Sequence, residues 1–208
     1  VFPAEFLEVH KEYPIYFQKS AETGEFQAVA LFGFEAQQNL LLTEGRWDAR
    51  YIPALMRREP FSIGMQKASI GQSESTPVLM VDIESPRVST TSEGTLVFKE
   101  NGGTTAFLDE VNKALSLVHE GFPAAKSMFN TFLSLDLIEP FVLDIQFDDR
   151  SHFKTNTFYT INQENLGALR GEVLEKLHVS GLLQLAYMVL ESLSNVRTLI
   201  EKRNAMTR

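Results

Sequence analysis

The densest chemistry in the sequence lies between Arg46 and Phe61, in the segment RWDARYIPALMRREPF. Four arginines, the only tryptophan and a tyrosine fall within this stretch. A guanidinium group is planar and permanently charged, so it can bind a carboxylate or phosphate with two hydrogen bonds and can stack on aromatic rings. The segment therefore supplies a candidate binding site for an anionic group or a partner, made of Arg46, Trp47, Arg50, Tyr51, Arg57 and Arg58.

The same segment also has a purely structural interpretation. Glu44, Asp48 and Glu59 are interleaved with the arginines, and internal ion pairs with them or with Asp82 and Glu84 would neutralise much of the positive charge. A structural ion-pair cluster and a binding site therefore both stay open as interpretations of this segment.

Helical spacing suggests how the arginines divide. Pro53 suits the first turn of a short helix that runs to about Arg58. We expect Arg46 and Arg50 to flank a buried or stacked Trp47, and Arg57 or Arg58 to stay available to a partner.

Other reactive arrangements are absent from the sequence. There is no cysteine, and the four histidines stand singly, so no local metal-ligand motif is visible. Neither a G-x-S-x-G motif nor a glycine-rich nucleotide loop occurs. The sequence therefore predicts no catalytic residue, no metal and no cofactor.

Composition and net charge indicate which kinds of partner the protein can bind. The chain has 208 residues, of which 44% are hydrophobic and 22% charged, and these are ordinary values for a globular protein. Its formal net charge of −8 disfavours binding to nucleic acid. No run of 18 apolar residues occurs, so no transmembrane segment is expected. Phenylalanine is abundant, with 16 residues, and aromatic rings favour buried contacts within a protein or with a partner.

The first half of the chain reads mainly as β-structure. Ile15 to Lys19 and the apolar run Phe26 to Phe34 predict two strands joined as a hairpin, with the second strand covered on both faces. Gly64 to Thr76 is small and polar, which predicts a loop, and Val78 to Ile83 predicts a further strand. Leu96 to Phe98 predicts a short edge strand.

The second half changes to a helical period. Thr104 or Thr105 can cap a helix that Gly121 and Pro123 are expected to break or kink. A second helical stretch, ended by Pro140, is then expected to point five residues inward: Ala125, Met128, Phe129, Phe132 and Leu133.

A strand and a final helix complete the second half. Residues 141 to 147 alternate as in a strand with one wet face. The final helix, Leu182 to about Lys202, is expected to be buried through four residues, Leu185, Val189, Leu193 and Val196, and the alternative use of this seam is a homodimer. The prediction is an α+β fold, with a mostly β N-terminal half and a helical C-terminal half packed as one domain over residues 1–208.

Several blocks in order resemble one known family. They are FPAEF at residues 2–6, YPIYFQK and TGEFQAVALFGFE within 13–35, the arginine-rich segment, VDIESPRVS at 81–89, LIEPF at 137–141, FYTINQENL at 158–166 and SGLLQLAYMVLESLSNV at 180–196. Their order and spacing resemble the SapC family of bacterial surface-layer-associated proteins. Further family residues are expected ahead of the FPAEF block. Gly121-Phe122-Pro123 departs from the uninterrupted helix expected in relatives.

The resemblance implies a role but carries no site residue. It implies a non-enzymatic accessory or binding protein linked to export or assembly of surface-layer or outer-membrane components. The alternative is an enzyme or enzyme subunit that acts on a small anionic or aromatic substrate in a pocket lined by the arginine-rich segment. We expect a protein partner or a small anionic or aromatic ligand. The expected location is the cytoplasm, and the periplasm or cell surface is the alternative.

Overall fold

The computed structural model describes residues 1–66, 76–89, 91 and 93–206. It divides into two compact units. The first unit comprises residues 1–52 and 121–208, and the second comprises residues 53–120. The packing of the whole chain as one domain stays a prediction.

The described residues contain both long helices and an antiparallel sheet. The strands are β1 (Ile15–Lys19), β2 (Phe26–Ala30), β3 (Leu42–Thr43), β4 (Arg46–Trp47), β5 (Phe61–Gln66), β6 (Thr76–Val81), β7 (Ile138–Gln146) and β8 (His152–Ile161). The α-helices are α1 (Phe6–Val9), α2 (Ala54–Arg57), α3 (Ala106–Ser134), α4 (Gln163–Ala168), α5 (Gly171–Val179), α6 (Leu182–Ser192) and α7 (Val196–Ala205). Two short 3-10 helices cover Pro3–Glu5 and Leu193–Asn195. The predicted α+β class is confirmed, with most strands in the N-terminal half and most helices in the C-terminal half.

The first unit is built on a four-stranded antiparallel sheet in the order β2-β1-β8-β7. The predicted hairpin of β1 and β2 is confirmed, with Tyr16 paired to Val29. β2 ends at Ala30, so the prediction that it reaches Phe34 with both faces covered is wrong. β2 is an edge strand in which only Ala28 is fully buried, and Gln27 is exposed to solvent.

The β7–β8 hairpin follows the predicted alternation. Leu143, Ile145 and Phe147 are buried, and the intervening residues are exposed. The strand begins earlier than predicted, at Ile138, and it includes Pro140, which was expected to end a helix. β7 lies at the edge of the sheet, where a missing backbone N–H is tolerated.

Helix α3 is continuous through Gly121 and Pro123, so the predicted break there is wrong. Packing in the first unit explains the glycine. A Cβ atom at Gly121 would overlap the ring of Phe2, and the neighbouring Phe122 ring meets Phe2 edge to face at 5.0 Å. Burial of the Phe2 ring against the helix offsets the poor helix propensity of the Gly-Phe-Pro sequence.

Aromatic residues join α3 to the sheet. The Phe17 ring on β1 meets the Phe129 ring edge to face at 5.0 Å, and Phe132 is fully buried beside it. The inward orientation predicted for Met128, Phe129 and Phe132 is confirmed, but Leu133 is exposed. Leu133 precedes the helix end at Ser134 by one residue.

The predicted final helix is interrupted. α6 ends at Ser192, a 3-10 turn follows, and α7 begins at Val196. Val189 is fully buried, whereas Leu185, Leu193 and Val196 are only partly buried. The hydroxyl oxygen of Ser192 accepts a hydrogen bond of 2.9 Å from the backbone N–H of Ile15, which fixes the end of α6 to β1.

The second unit contains the β5–β6 hairpin and a small core of Phe61, Leu108, Val111 and Leu115. β5 includes residues 64–66, which were predicted to begin a loop, and the rest of that predicted loop up to residue 75 lies outside the described residues. The strand predicted over 78–83 is β6. The strand predicted over 96–98 is reduced to a single bridge between Phe98 and Thr104.

No single helix in the described part of the chain is long and apolar enough to cross a membrane. Helix α5 and the stretch from Leu182 to Ala205 are together long and apolar enough, but they are bent by 82° relative to each other.

Candidate functional site

The six candidate site residues fall in both units. Arg46, Trp47, Arg50 and Tyr51 belong to the first unit, whereas Arg57 and Arg58 belong to the second. The arginine-rich segment is therefore divided between the two units.

Trp47 is anchored through its indole nitrogen. The β3–β4 hairpin pairs it with Leu42, and the intervening Glu44 and Gly45 both adopt positive φ angles. The indole N–H donates a hydrogen bond of 2.8 Å to the hydroxyl of Tyr13. The indole ring also meets the ring of Phe32 edge to face, with centroids 5.4 Å apart. Trp47 is half-buried, and the ring that it contacts is that of Phe32, whereas the prediction placed it between Arg46 and Arg50.

The Tyr13 hydroxyl links Trp47 to the backbone of Tyr51. It accepts from Trp47 and donates to the backbone carbonyl of Tyr51. Burial is the main reason that the pKa of Tyr13 rises to about 12. The hydroxyl therefore stays protonated near neutral pH and keeps its role as a donor to the Tyr51 carbonyl.

Two carboxylates hold the backbone at positions 50 and 51. The Glu12 carboxylate accepts from the N–H of Arg50 at 2.9 and 3.0 Å and from the N–H of Tyr51 at 3.1 Å. The Tyr51 hydroxyl donates a hydrogen bond of 2.9 Å to Glu5, a carboxylate residue that is only 1% exposed. Charge-assisted hydrogen bonds of this kind are stronger than neutral ones. The segment that carries Arg50 is therefore fixed to the first unit.

The side chains of Arg46 and Arg50 point into solvent. Both residues are exposed, and neither guanidinium group has a hydrogen-bond or ion-pair partner among the described residues. The neighbouring Asp48 pairs with Lys202, and the hydrogen bond from this lysine lowers the pKa of Asp48. The expectation that Arg46 and Arg50 are structural arginines around Trp47 is wrong, because the Tyr13 hydroxyl and the Phe32 ring hold the indole instead.

Arg57 and Arg58 are more enclosed. Arg57 is the last residue of α2, and both residues are half-buried. The Nη1 atom of Arg58 donates a hydrogen bond of 2.9 Å to the carbonyl of Phe61. Glu59, a predicted ion-pair partner of the segment, pairs with Arg87 at 3.5 Å instead. Arg58 thus has the structural role that the sequence assigned to Arg46 and Arg50.

Sequence reasoning missed the residues that organise this site. Glu5, Glu12, Tyr13 and Phe32 lie far from the segment in sequence but contact or orient it. Glu5 and Tyr13 occur within the FPAEF and YPIYFQK blocks, where a polar residue among apolar ones is the only available signal.

No group of three or more His, Cys, Asp or Glu side chains in the described ranges is arranged to hold a metal ion. An exposed polar cluster lies on the β7–β8 hairpin. There Asp144 accepts from His152 at 2.6 Å and from Lys154 at 2.7 Å, and these bonds lower the pKa of the Asp144 carboxyl.

Comparison with known proteins gives one match. No curated protein and no solved structure matches the chain. A family model, that of SapC, matches residues 1–199 of the 208. The match spans both units and every sequence block that resembles the family, and the chain belongs to the SapC family.

Proposed function

We propose that this protein is a non-enzymatic accessory protein that binds an anionic group of a partner through its arginine surface. The arginine surface is defined as the side chains of Arg46 and Arg50 together with the rings of Trp47 and Tyr51. The partner is a component involved in the export or assembly of surface-layer or outer-membrane material. Membership of the SapC family supports this choice of partner.

One observation carries the proposal. Arg46 and Arg50 are exposed and have no partner among the described residues, although the backbone beneath Arg50 is fixed by hydrogen bonds. A fixed backbone lowers the entropic cost of binding, since fewer groups must be ordered when a partner arrives. Unpaired guanidinium groups on such a support are suited to a carboxylate or phosphate of the partner.

None of the described acidic groups forms an ion pair with these two arginines. Asp48 is paired with Lys202, and the Glu12 carboxylate accepts backbone N–H groups. The chain has a net charge of −8, so most of its surface repels anions. Two neighbouring arginines without ion-pair partners make this part of the surface the more favourable place for an anionic group to bind.

The experiment is affinity capture from the native host, with mass spectrometry of captured proteins and small molecules. The wild type is compared with Arg46→Gln/Arg50→Gln and with Arg197→Gln. Arg197 is a matched control because it is also exposed and lacks a partner in the described structure. We expect the double variant to capture the main partner at least about tenfold less, since two charge-assisted contacts are lost, and the control to capture it normally. Equal capture by the double variant and the wild type would contradict the proposal.

Trp47 provides an independent measurement once a partner is identified. It is the only tryptophan in the chain and belongs to the arginine surface, so its fluorescence reports on this site alone. We expect the purified partner to change the emission of Trp47 in the wild type and in Arg197→Gln. Binding that leaves this emission unchanged would place the partner elsewhere on the molecule.

A further inference from the structure

The β5–β6 hairpin has a defined hydrogen-bonding phase. The N–H of Asp82 donates to the carbonyl of Pro60 at 3.1 Å, just before the first pair of the ladder, Phe61 with Val81. In an antiparallel ladder the bonded pairs alternate with non-bonded pairs. Ser62 and Gly64 therefore bond to β6, and the backbone groups of the alternate residues of β5 point away from the hairpin.

Three residues of β5 point their backbone N–H and carbonyl groups away from β6, and among the described residues only Phe61 has hydrogen-bond partners for these groups. At Phe61 the N–H donates to the Arg58 carbonyl at 2.7 Å, and the carbonyl accepts from the Arg58 guanidinium at 2.9 Å. At Ile63 and Met65 no described residue takes the N–H or the carbonyl, and no other described strand pairs with β5. Two residues of β5 thus offer two donors and two acceptors along one edge.

The two edges of the hairpin differ in protection. On β6, Pro77 lies opposite Met65, so its missing N–H falls on the outer edge. Proline, lysine and other charged residues are the usual means by which proteins block an exposed strand edge. β5 has the sequence FSIGMQ, with no proline and no charge, and its Ile63 and Met65 side chains are 39% and 62% exposed.

We propose that the β5 edge pairs with the same edge of a second copy of this chain. The pairing is antiparallel, with a two-fold axis at Gly64, so that Ile63 of one copy lies opposite Met65 of the other. The outward residues of β5 are separated by one position, and this spacing is self-complementary under such an axis. Each Ile63–Met65 pair then makes two hydrogen bonds, which gives four in the dimer.

The arrangement also brings the exposed apolar side chains of the two hairpins side by side. Ile63, Met65, Leu79 and Val81 share one face and are all substantially exposed. A two-stranded ribbon is marginal by itself, whereas a four-stranded sheet with a continuous apolar face is a more stable unit. The contact remains short compared with the 1,200–2,000 Å² or so of a standard interface, and the dimer is therefore weak and reversible.

The test is sedimentation velocity of the full chain at concentrations up to about 1 mM, the range in which small interfaces associate. Ile63→Pro is the informative variant, because it removes the outward N–H and leaves the bonds between β5 and β6. By symmetry it removes two of the four hydrogen bonds, so the dimer dissociation constant is expected to rise about tenfold or more. Leu79→Pro is the matched control on the β6 edge and is expected to change it less than about twofold.

A second variant covers the case in which proline disrupts the hairpin. Met65→Lys places a charge on the β5 edge and is expected to weaken dimerisation, whereas Ile83→Lys makes the same kind of change at an exposed site beyond β6. A chain that stays monomeric throughout the concentration range overturns the proposal. So does a dimer that is weakened equally by both lysine variants, or by neither.

Discussion

Two buried tyrosines in the first unit illustrate how much a hydroxyl partner matters. Tyr13 and Tyr16 are both fully buried by residue area, and burial raises the pKa of each to about 12. The Tyr13 hydroxyl bonds to Trp47 and to the Tyr51 carbonyl. The Tyr16 hydroxyl has no hydrogen-bond partner in the described structure, and its ring stacks on Phe158 at 4.8 Å.

This contrast gives a matched pair of substitutions. We expect Tyr13→Phe to lower the free energy of unfolding by about 1–3 kcal/mol, because it leaves the indole N–H and a carbonyl without their partner. Tyr16→Phe removes only an unpaired hydroxyl, so the stability is expected to stay equal or rise by up to about 1 kcal/mol. Urea unfolding of both variants measures the difference. A larger loss for Tyr16→Phe than for Tyr13→Phe would contradict these roles of the two hydroxyls.

The same tyrosines predict a loss of stability at alkaline pH. In the unfolded chain a tyrosine ionises near its ordinary pKa of 10, but in the folded chain Tyr16 does so only near 12. Between these values the unfolded chain binds fewer protons, so stability falls as the pH rises, and below about pH 9 the contribution is fully present. Melting temperatures from pH 8 to 12 should fall less steeply in Tyr16→Phe than in the wild type. Parallel curves would show that Tyr16 does not contribute.

At the residue scale the sequence predicted which side chains are chemically notable, but not their roles. Arg50, which was expected to be structural, is exposed, and Arg58, which was a candidate to stay available, donates a hydrogen bond to the Phe61 carbonyl. Local spacing describes a short helix after Pro53 correctly, but exposure depends on residues distant in sequence, such as Glu12, which holds the backbone of Arg50. The hydrogen-bond partners of residues 50 and 51 cannot be predicted from the local sequence pattern. The same holds for the division between the two units after Ile52.

At the element scale, periodicity predicted strands and helices well where one face is buried. β1 and the alternation in β7 are as predicted, since period 2 follows directly from a half-buried sheet. Three of the errors fall at Gly121, Pro140 and Leu193, where tertiary packing or an edge position overrides local propensity.

Gly121 gives a direct test of this override. In an open helix, glycine to alanine is normally stabilising by about 0.5–1 kcal/mol. At Gly121 the added Cβ would meet the buried Phe2 ring, so Gly121→Ala is expected to destabilise the protein by about 1–3 kcal/mol. Gly167 in α4 has no neighbouring atom within 4 Å of a Cβ position, and Gly167→Ala serves as the control. Thermal unfolding that shows the same sign for both substitutions would refute the packing explanation for Gly121.

At the scale of the whole molecule, the two units have very unequal cores. The core of the first unit includes Phe6, Tyr16, Phe132 and many further buried residues, whereas the core cluster of the second comprises four of the described residues. Regions with few buried apolar contacts open at lower free energy. Composition predicted a chain long enough for a large core, but it could not indicate how the core residues divide between the units.

Hydrogen exchange should reveal this difference directly. At protein concentrations too low for association, we expect the amides of the β5–β6 ladder to exchange faster than those that pair β1 with β8. Mass spectrometry of peptides covering both regions is the measurement. Equal protection of the two ladders would mean that the second unit is as stable as the first.

The most direct test of the arginine surface compares Arg50→Gln with Arg58→Gln for melting temperature and for capture of the partner from the native host. Arg50 is exposed and unpaired in the described structure, so its loss should change stability by less than about 0.5 kcal/mol and reduce capture. Arg58 donates to the Phe61 carbonyl, so its loss should cost about 1 kcal/mol and leave capture intact. Two results would contradict this division of roles: capture by Arg50→Gln that equals capture by the wild type, or capture that Arg58→Gln alone abolishes without a loss of stability.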